Sequence, residues 1–468
     1  MADATRPWWQ HSAVELGAAY RCGTVTPVQV LADCFTRIDA VNPTLNAVIA
    51  QRREAAFEDA ARSSERFARG AALSLLDGIP LAVKDNIASA DLATTWGCVA
   101  LRDHRPKFDE LALARARKAG AIIIGKTNVP EFTLEGHTHN RLFGTTRNPW
   151  NMALTPGGSS GGSVAAVASG MTPLALGTDG GGSTRRPASH TGLVGFKPSI
   201  GAIAREHSLP TLLLDFEVIG PIARSVADVR LLYDALHGPD PADRRSWAAA
   251  AASKPLPQCL RVLYVPTIAG APVDAEIADS CRAAADRLAS LGHTVEQGPL
   301  PLDLGFMTRD WPVIGQIGLA ALFAQHLDWR AGASPNYVQM AEAGARLPAS
   351  TLWQILETVE QLRRDVSRLF TRVDLIVTPA TAALPWPADE AFPPVIDGQP
   401  VGPRGHAIFT GWVNAAGVPA VAMPCAPSRV GLPIGVQLIS DYGSDDALLS
   451  LAADFEASAS QAWRWPTI

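Results

Sequence analysis

The sequence predicts an α/β fold in which helices cover a sheet of short, buried strands. Two observations lead to this prediction. Short apolar segments alternate with helical stretches along much of the 468-residue chain. Strand-like segments also return near the C-terminus, at Val418–Pro424 and Ile434–Ile439. We therefore expect one interwoven domain over residues 1–468 rather than separate modules.

Four regions are expected along this domain. They are N-terminal helices over 12–69, a core of strands and helices over 70–240, a helical cap or insertion over about 303–372, and a return to the core over 373–468. The N-terminal helices are indicated by Ala13, Leu16 and Ala19 at helical spacing, and by Thr26-Pro27 as a capping pair.

The core is predicted from a change in the sequence pattern after residue 70, where short apolar segments begin to alternate with helical ones. Ile79–Val83 is a short apolar strand that ends at Lys84, and Ala121–Ile124 is a β-branched strand that follows a helix over Ala112–Ala119. The alternation then continues through Val164–Ser169, Pro173–Gly177, Val194–Phe196, Ala227–Leu236 and Leu260–Val265.

The cap is predicted from apolar residues at helical intervals with a charged opposite face. These residues are Leu352, Ile355, Leu356, Val359 and Leu362. Exposed apolar faces in this region would suit a homodimer contact. Beyond it, Asp374–Thr378 is expected to be a buried strand, and Ala380–Pro403 a proline-rich loop.

Composition excludes several classes of protein. Apolar residues make up 47% and charged residues 18%, as in ordinary globular proteins, and the net charge of −5 does not favour binding to nucleic acid or to an anionic membrane. The six cysteines form no C-x-x-C pair, which is typical of reduced thiols and argues against disulfides. The first ten residues lack the pattern of a secretory signal, so we expect a cytoplasmic protein.

Two short motifs suggest alternative functions. Gly120–Thr127 fits the pattern of a phosphate-binding loop, but the residues between its glycines are Ala-Ile-Ile-Ile, which would be the strand itself. Gly157–Gly161 fits the nucleophile elbow of a Ser-His-Asp esterase, but the preceding segment is interrupted by Pro149 and Pro156. Neither motif has the flanking structure that its function requires.

A pair of glycine- and serine-rich loops is more informative. One helix-length segment and one strand-like segment separate the loop at 157–163 from the loop at 180–183, so the fold should bring the two loops together. Consecutive glycines allow several N–H groups to converge beside a hydroxyl, as an oxyanion hole requires. The candidate donors are the N–H groups of Gly180, Gly181, Gly182 and Ser183.

A serine nucleophile also needs a base. His190 lies nearby in the sequence, but a lone histidine is more often structural. Lys84 ends an apolar strand, where burial would favour its neutral amine and lower its pKa. On the residues alone, a lysine that extends from a strand end to solvent is the favoured interpretation.

An ordered set of motifs resembles the amidase signature family over nearly the whole chain. The set comprises GIPLAVKDN (78–86), GKTNVPEF (125–132), FGTTRNPW (143–150), GGSSGGS (157–163), GTDGGGSTR (177–185), GLVGFKPS (192–199), NAAGVPAVAMPC (414–425) and GLPIGVQLI (431–439). Such a set is far more specific than either short motif.

The resemblance implies a mixed, twisted central sheet surrounded by helices, and a Ser-Ser-Lys triad. Ser183 would be the nucleophile, Ser159 a bridging serine on a cis peptide, and Lys84 the base. The spacing of the two family serines, 24 residues from 159 to 183, is reproduced. Asp179 and Arg185 would support the site from behind.

Some positions depart from the family pattern. Gly180 stands where members usually carry Thr, Thr184 where they carry a branched aliphatic residue, and Arg185-Arg186-Pro187 where they carry a single Arg. His190-Thr191 replaces a frequent aromatic-Cys pair. These changes bear on the rigidity of the loop and the shape of the pocket. The glutamine-using branch has an Asp where this chain has Ala407, which argues against free glutamine as the substrate.

The expected function is hydrolysis of a small, largely apolar carboxylic amide, with an aryl amide or a carbamate as candidates. The alternative is an amidotransferase A-like subunit that works in a tRNA-amidating complex. No metal and no organic cofactor is implied, and the only expected partner besides a second copy is the amide substrate. Phe132, Thr133 and Leu134 are predicted to form a wall of the pocket.

Overall fold

Eleven strands form one mixed sheet in the part of the chain that the computed structural model describes, residues 5–459 and 463–468. With the strands of two separate hairpins, the described residues form fifteen strands: β1 (Val48–Gln51), β2 (Pro80–Lys84), β3 (Ile122–Thr127), β4 (His139–Asn140), β5 (Gly144–Thr145), β6 (Leu174–Asp179), β7 (Val194–Lys197), β8 (Val218–Ala223), β9 (Arg261–Tyr264), β10 (Thr294–Gln297), β11 (Leu375–Pro379), β12 (Val395–Ile396), β13 (Gln399–Pro400), β14 (Ala420–Pro424) and β15 (Gly435–Ile439). Two small hairpins, β4–β5 and β12–β13, stand apart from the sheet.

Helices cover the sheet on both faces. They are α1 (Ala13–Arg21), α2 (Pro27–Leu45), α3 (Arg53–Ala68), α4 (Leu111–Lys118), α5 (Gly161–Ala168), α6 (Arg185–Thr191), α7 (Val226–Leu236), α8 (Arg244–Ala251), α9 (Ala275–Ser290), α10 (Phe306–Arg309), α11 (Trp311–Gln325), α12 (Leu327–Gly332), α13 (Pro335–Ala345), α14 (Ala349–Leu369), α15 (Gly411–Ala416) and α16 (Asp445–Ala457).

The order of strands in the sheet is β1-β3-β2-β6-β8-β7-β14-β15-β11-β9-β10. β2 runs parallel to both β3 and β6, and its five residues are all buried. Successive side chains of a strand point to opposite faces, and Leu81 and Val83 pack with the helices of one face while Ala82 packs with those of the other. The predicted mixed α/β fold is confirmed.

The N-terminal region contains a strand that the sequence analysis did not predict. Residues 12–69 hold three helices as expected, but β1 lies between α2 and α3 and pairs antiparallel with β3. Helix α2 ends because Asn46 adopts a left-handed conformation, and the Asn42 side chain accepts the N–H groups of Ala47 and Val48. Four residues of edge pairing are too few to give a clear sequence pattern.

The segment whose sequence fits the phosphate-binding-loop pattern contains a strand of the sheet. Residues Ile122–Thr127 form β3, and a side chain at Gly125 would lie 2.0 Å from the carbonyl oxygen of Ala50 on β1. The Lys126 ammonium is buried and donates to the carbonyl oxygen of Ile87. The interpretation of this motif as part of the sheet is confirmed.

Helices α10 to α14 provide the helical structure predicted over 303–372, and α11 and α13 pack against each other. Among the residues that the structure describes, none of the helices has the length and apolar character needed to cross a bilayer. The six cysteines are all free thiols, as predicted.

Candidate active site

Three segments of the chain meet at one edge of the sheet. Lys84 is the last residue of β2, and Asp179 is the last residue of the neighbouring parallel strand β6. The loop of residues 180–183 continues from β6, and the loop that carries Ser159 leads into α5. Because the carboxyl ends of parallel strands adjoin, the predicted base and the two predicted serines come together although they are far apart in sequence.

The Lys84 ammonium group is fully buried at this meeting point. Its Nζ lies 2.8 Å from Ser159 Oγ, 2.9 Å from Thr178 Oγ1 and 3.2 Å from the Thr178 carbonyl oxygen. Burial lowers the pKa of Lys84 to about 7, against the opposing charges of Glu217 and Asp179. The amine can therefore exist without its proton near neutral pH, and a lysine that extends to solvent is excluded.

Ser159 follows a cis peptide bond, Gly158–Ser159. A side chain at Gly158 would lie 2.8 Å from the carbonyl oxygen of His137, so the turn requires glycine there. The next residue, Ser160, donates its N–H to the carbonyl oxygen of Ser183 at 3.1 Å. This main-chain hydrogen bond joins the two loops and brings the segment of Ser159 beside Ser183.

Ser183 is 7% exposed and lines a cavity of about 90 Å³. In the described part of the chain, the N–H groups of Gly180, Gly181 and Ser183 have no acceptor. Free donors beside a hydroxyl that faces a cavity can stabilise a negative charge that develops on a carbonyl oxygen.

The fourth predicted donor is already occupied. The N–H of Gly182 donates to Asp179 Oδ1 at 2.7 Å, and Gly182 has a φ of 108°, which a side chain rarely adopts. The prediction that Gly182 offers a free N–H to an oxyanion is therefore wrong. Its conformation turns the N–H back towards the carboxylate at the end of β6.

Asp179 and Arg185 form a buried ion pair behind the loop. Arg185 Nη2 lies 2.8 Å from Asp179 Oδ1, and Nε lies 2.9 Å from Oδ2. Burial alone would raise the pKa of Asp179, but the charge and hydrogen bonds of Arg185 hold that pKa well below its usual range. Asn414 adds a hydrogen bond to the same carboxylate at 2.9 Å.

The cavity beside Ser183 includes only part of the predicted wall. Thr133 and Leu134 line it, but Phe132 does not. The Phe132 ring packs instead against the aromatic rings of Trp96, Phe323 and Tyr337. The prediction for Phe132 is wrong because its left-handed backbone, with a φ of 54°, directs the ring into the core.

Among the described residues, neither His190 nor His207 forms a Ser-His-Asp arrangement with Ser159 or Ser183. His190 Nε2 lies 3.1 Å from the carbonyl oxygen of Ala383, and its ring packs on Trp386. His207 is largely exposed and stacks on Phe108. Within residues 5–459 and 463–468, no three His, Cys, Asp or Glu side chains are placed to hold one metal ion.

Several residues of the site were not predicted from the sequence. Thr178 contacts Lys84 and accepts a hydrogen bond from Asn86, and Asn414 holds the carboxylate of Asp179. Thr178 and Asn86 lie inside the motifs quoted above, so their position could have drawn attention to them. Arg404 also lines the cavity, but no pattern in its proline-rich surroundings indicates this.

This fold and this site define an enzyme of the class that acts on amide C–N bonds. A family model with the description "Amidase" matches residues 29–449, and the chain belongs to the amidase signature family.

The chain is 32% identical to the A subunit of the glutamyl-tRNA(Gln) amidotransferase of Picosynechococcus sp., over 94% of this chain and 95% of that protein. Among solved structures it is similar to a bacterial aryl acylamidase of the same family, with a TM-score of 0.87, 28% identity and coverage of 97% of each chain. It is also similar to 6-aminohexanoate cyclic dimer hydrolase in complex with its substrate, with a TM-score of 0.86, 29% identity and coverage of 98% of this chain and 99% of the other.

Proposed function

We propose that the protein hydrolyses a small carboxylic amide through an acyl-enzyme on Ser183, with Ser159 and Lys84 as the proton relay. The observation that carries the proposal is the 2.8 Å contact between Lys84 Nζ and Ser159 Oγ in a buried setting. A neutral amine in this position is a general base within hydrogen-bond reach of a hydroxyl.

The proton path runs from Ser183 to Ser159 and from Ser159 to Lys84. As the Ser183 oxygen attacks the amide carbonyl carbon, its proton passes to Ser159 Oγ, and the Ser159 proton passes to the Lys84 amine. The resulting ammonium returns a proton through Ser159 to the leaving nitrogen, and the C–N bond breaks. The products of this half-reaction are the free amine and an ester of Ser183.

The N–H groups of Gly180, Gly181 and Ser183 supply the donors for the oxyanion in this proposal. They have no other acceptor among the described residues, and removal of one such donor typically lowers kcat by about 10²- to 10³-fold in serine hydrolases. Water then attacks the ester by the reverse path, which releases the carboxylic acid and restores Ser183. Every proton is accounted for within the three side chains.

The size of the cavity supports a small substrate. Its volume of about 90 Å³ leaves room for a short acyl group, and its wall includes apolar side chains of Leu134, Leu213, Trp311 and Met340. Aryl amides and carbamates remain candidates because both form the same kind of acyl-enzyme.

The proposal is tested with the purified chain alone. A serine-directed phosphonate should inactivate hydrolysis of acyl p-nitroanilides in proportion to labelling, and peptide mapping should find the adduct on Ser183. Labelling of a different serine, or full activity in the labelled protein, would contradict the mechanism.

A second candidate function is that of the glutamine-hydrolysing component of an amidotransferase, which the 32% identity to such a protein favours. Against it, the position expected to hold the amino group of glutamine is Ala407, whose methyl group cannot bind an ammonium. The two functions are separated by ammonia release from L-glutamine and from glutaric acid monoamide, which has the same carboxylate and amide but lacks the amino group. We expect no faster hydrolysis of glutamine, whereas a clear preference for it would favour the amidotransferase function.

A further inference from the structure

Two arginine side chains line the same small cavity as Ser183. Arg186 lies three residues after Ser183, in the first turn of α6, and Arg404 precedes the short helical turn Gly405–Ala407. They come from distant parts of the sequence and face one cavity of about 90 Å³. Each carries a full positive charge next to the hydroxyl that we propose as the nucleophile.

Arg186 is buried without a carboxylate partner. It is 6% exposed, and its two terminal nitrogens donate to the carbonyl oxygens of Gly181 at 3.0 Å and Gly158 at 3.4 Å. Its Nε has no hydrogen-bond partner in the part of the chain that the structure describes. Carbonyl oxygens hold the guanidinium in place, but they do not neutralise its charge.

The side chain of Arg404 makes fewer polar contacts than that of Arg186. Its guanidinium carbon lies 5.1 Å from the centre of the Trp311 ring, and no hydrogen bond or ion pair of its side chain is formed with the described residues. Burial lowers the pKa of Arg404 to about 10. Burial and the charge of Arg404 lower the pKa of Arg186 to about 9. The two cations therefore repel each other in a poorly solvated place.

Two other arginines with little exposure are neutralised by carboxylates. Arg185 pairs with Asp179, and Arg205 pairs with Glu110 at 2.7 Å and Glu217 at 2.9 Å. A buried charge without a partner is strongly destabilising, so two cations that share one cavity without a carboxylate partner are unusual.

One carboxyl group, Glu135, also lines the cavity, but it has its own partners. It accepts the Tyr337 hydroxyl at 2.9 Å and lies 3.3 Å from His137 Nδ1. Burial raises the pKa of Glu135. The cavity thus has an excess of positive charge.

We propose that this cavity binds a carboxylate between Arg186 and Arg404, and that the substrate is a small amide which carries that carboxylate. The guanidinium group is the side chain best suited to this task because its donors match the two oxygens of a carboxylate. The inference rests on the proposed function and replaces a largely apolar substrate by an anionic one. The carboxylate can belong to the acyl part, as in a half-amide of a dicarboxylic acid, or to the amine part.

The kinetic test compares charged and neutral amides of equal size. The probes are the mono-p-nitroanilide of succinic acid, its methyl ester, and 4-butyramidobenzoate, which carries its carboxylate on the amine part. We expect the wild-type kcat/KM to favour one of the two anionic amides over the ester by about tenfold to a hundredfold, the range of a charge-assisted hydrogen bond. The preferred anionic amide shows which part carries the carboxylate. Equal rates, or a preference for the ester, would overturn the inference.

The variants are Arg404→Met and Arg404→Gln, with Arg346→Met as a control on an exposed arginine at the end of α13. We expect both Arg404 variants to lose the preference for the anionic amide, mainly through a higher KM, and the control to keep it. Equal losses for charged and neutral amides would show that Arg404 only shapes the site, and would overturn the inference.

A binding measurement separates this inference from the proposed function. In the Ser183→Ala protein, succinate should bind at least tenfold more tightly than succinamide by calorimetry, and Arg404→Met in that background should remove the difference. If succinate binds in this way but no amide is hydrolysed, the carboxylate site stands and the proposed function fails. If amides are hydrolysed but succinate binds no better than succinamide, the carboxylate site fails and the proposed function stands.

Discussion

The carboxylate of Asp179 accepts the N–H of Gly182 at 2.7 Å and thereby fixes the turn that presents Ser183. The same carboxylate binds Arg185 and Asn414, so a single buried acid connects the strand β6, the loop and α15. The loop is therefore not a flexible linker, although its composition of glycine and serine is typical of one. Its conformation is set by an ion pair behind it.

The Asp179→Asn variant should lower the free energy of unfolding by about 3–5 kcal/mol, because it leaves the buried Arg185 without its counter-charge. Urea unfolding measures this change. Asp389→Asn is the control, since that carboxylate is 77% exposed and should contribute less than about 1 kcal/mol. Similar effects of the two substitutions would contradict a structural role for the ion pair.

The same ion pair predicts a dependence of stability on pH. The pKa of Asp179 is held well below its usual range in the folded protein, so unfolding takes up a proton once the pH falls below the unfolded value of about 3.9. The contribution of Asp179 is present above that pH and is lost as the pH falls further. Acid unfolding of wild type and Asp179→Asn should therefore converge, and a constant gap between them down to low pH would disprove the assignment.

Two glycines of the loop should respond differently to substitution by alanine. A side chain at Gly182 would lie 2.2 Å from Thr410 Oγ1 and would have to adopt a φ of 108°. A side chain at Gly180 would lie 3.1 Å from the flexible Leu213 and in ordinary contact with Glu217 at 3.5 Å. Gly182→Ala should lower kcat/KM for a p-nitroanilide by about 10²-fold or more, as expected for a displaced nucleophile, while Gly180→Ala should retain most activity. The reverse order would show that the loop is positioned in another way.

Much of the fold could be predicted because buried parallel strands give continuous apolar segments. Ile79–Val83 and Pro173–Gly177 correspond to β2 and β6. β1 could not be predicted, since it is a short edge strand whose pairing depends on the distant strand β3. The orientation of Phe132 could not be predicted from the sequence either, because a left-handed backbone at a non-glycine residue leaves no compositional pattern.

The site could be predicted only in part, because the pairing of its side chains depends on the folded chain. The motifs indicated Lys84, Ser159 and Ser183, and the contact of Lys84 with Ser159 agrees with that prediction. The sequence shows Arg185 and Arg186 as neighbours, but not that Asp179 pairs with the first and leaves the second unpaired. Pairing depends on side-chain direction in α6, which only the folded chain defines.

Single substitutions in the relay should abolish turnover without unfolding the protein. Ser183→Ala should lower kcat by about 10⁴-fold or more, and Ser159→Ala should also cause a large loss because it interrupts the proton path. Ser163→Ala is the matched control, as this buried serine lies on α5 and contacts Thr127 rather than Lys84. Thermal unfolding checks that each variant folds. Substantial activity in Ser159→Ala would contradict the relay.

Lys84 should control the acidic limb of the pH profile. Its pKa is lowered to about 7 by burial, and only the neutral amine is a base, so kcat/KM should rise with pH through about 7. Burial lowers the pKa of His190 to about 4, so this histidine cannot account for the limb. Lys197 is a confounder, since burial lowers its pKa to about 7 as well. Burial also brings the pKa of Lys126 to about 8 and that of Asp85 to about 6. Lys197→Met should leave the limb in place.

The decisive variant is Glu217→Gln, because it changes the pKa of Lys84 without touching the relay. The negative charge of Glu217 raises the pKa of Lys84, against the larger effect of burial, and Glu217 also neutralises part of the charge of Arg205. Removal of that charge leaves the ammonium form of Lys84 less stable, so its pKa must fall and the acidic limb of kcat/KM must move to lower pH. At a pH below 7 the variant should therefore be relatively more active than wild type when each is scaled to its plateau. A limb that stays in place or moves to higher pH would mean that a group other than Lys84 is titrating.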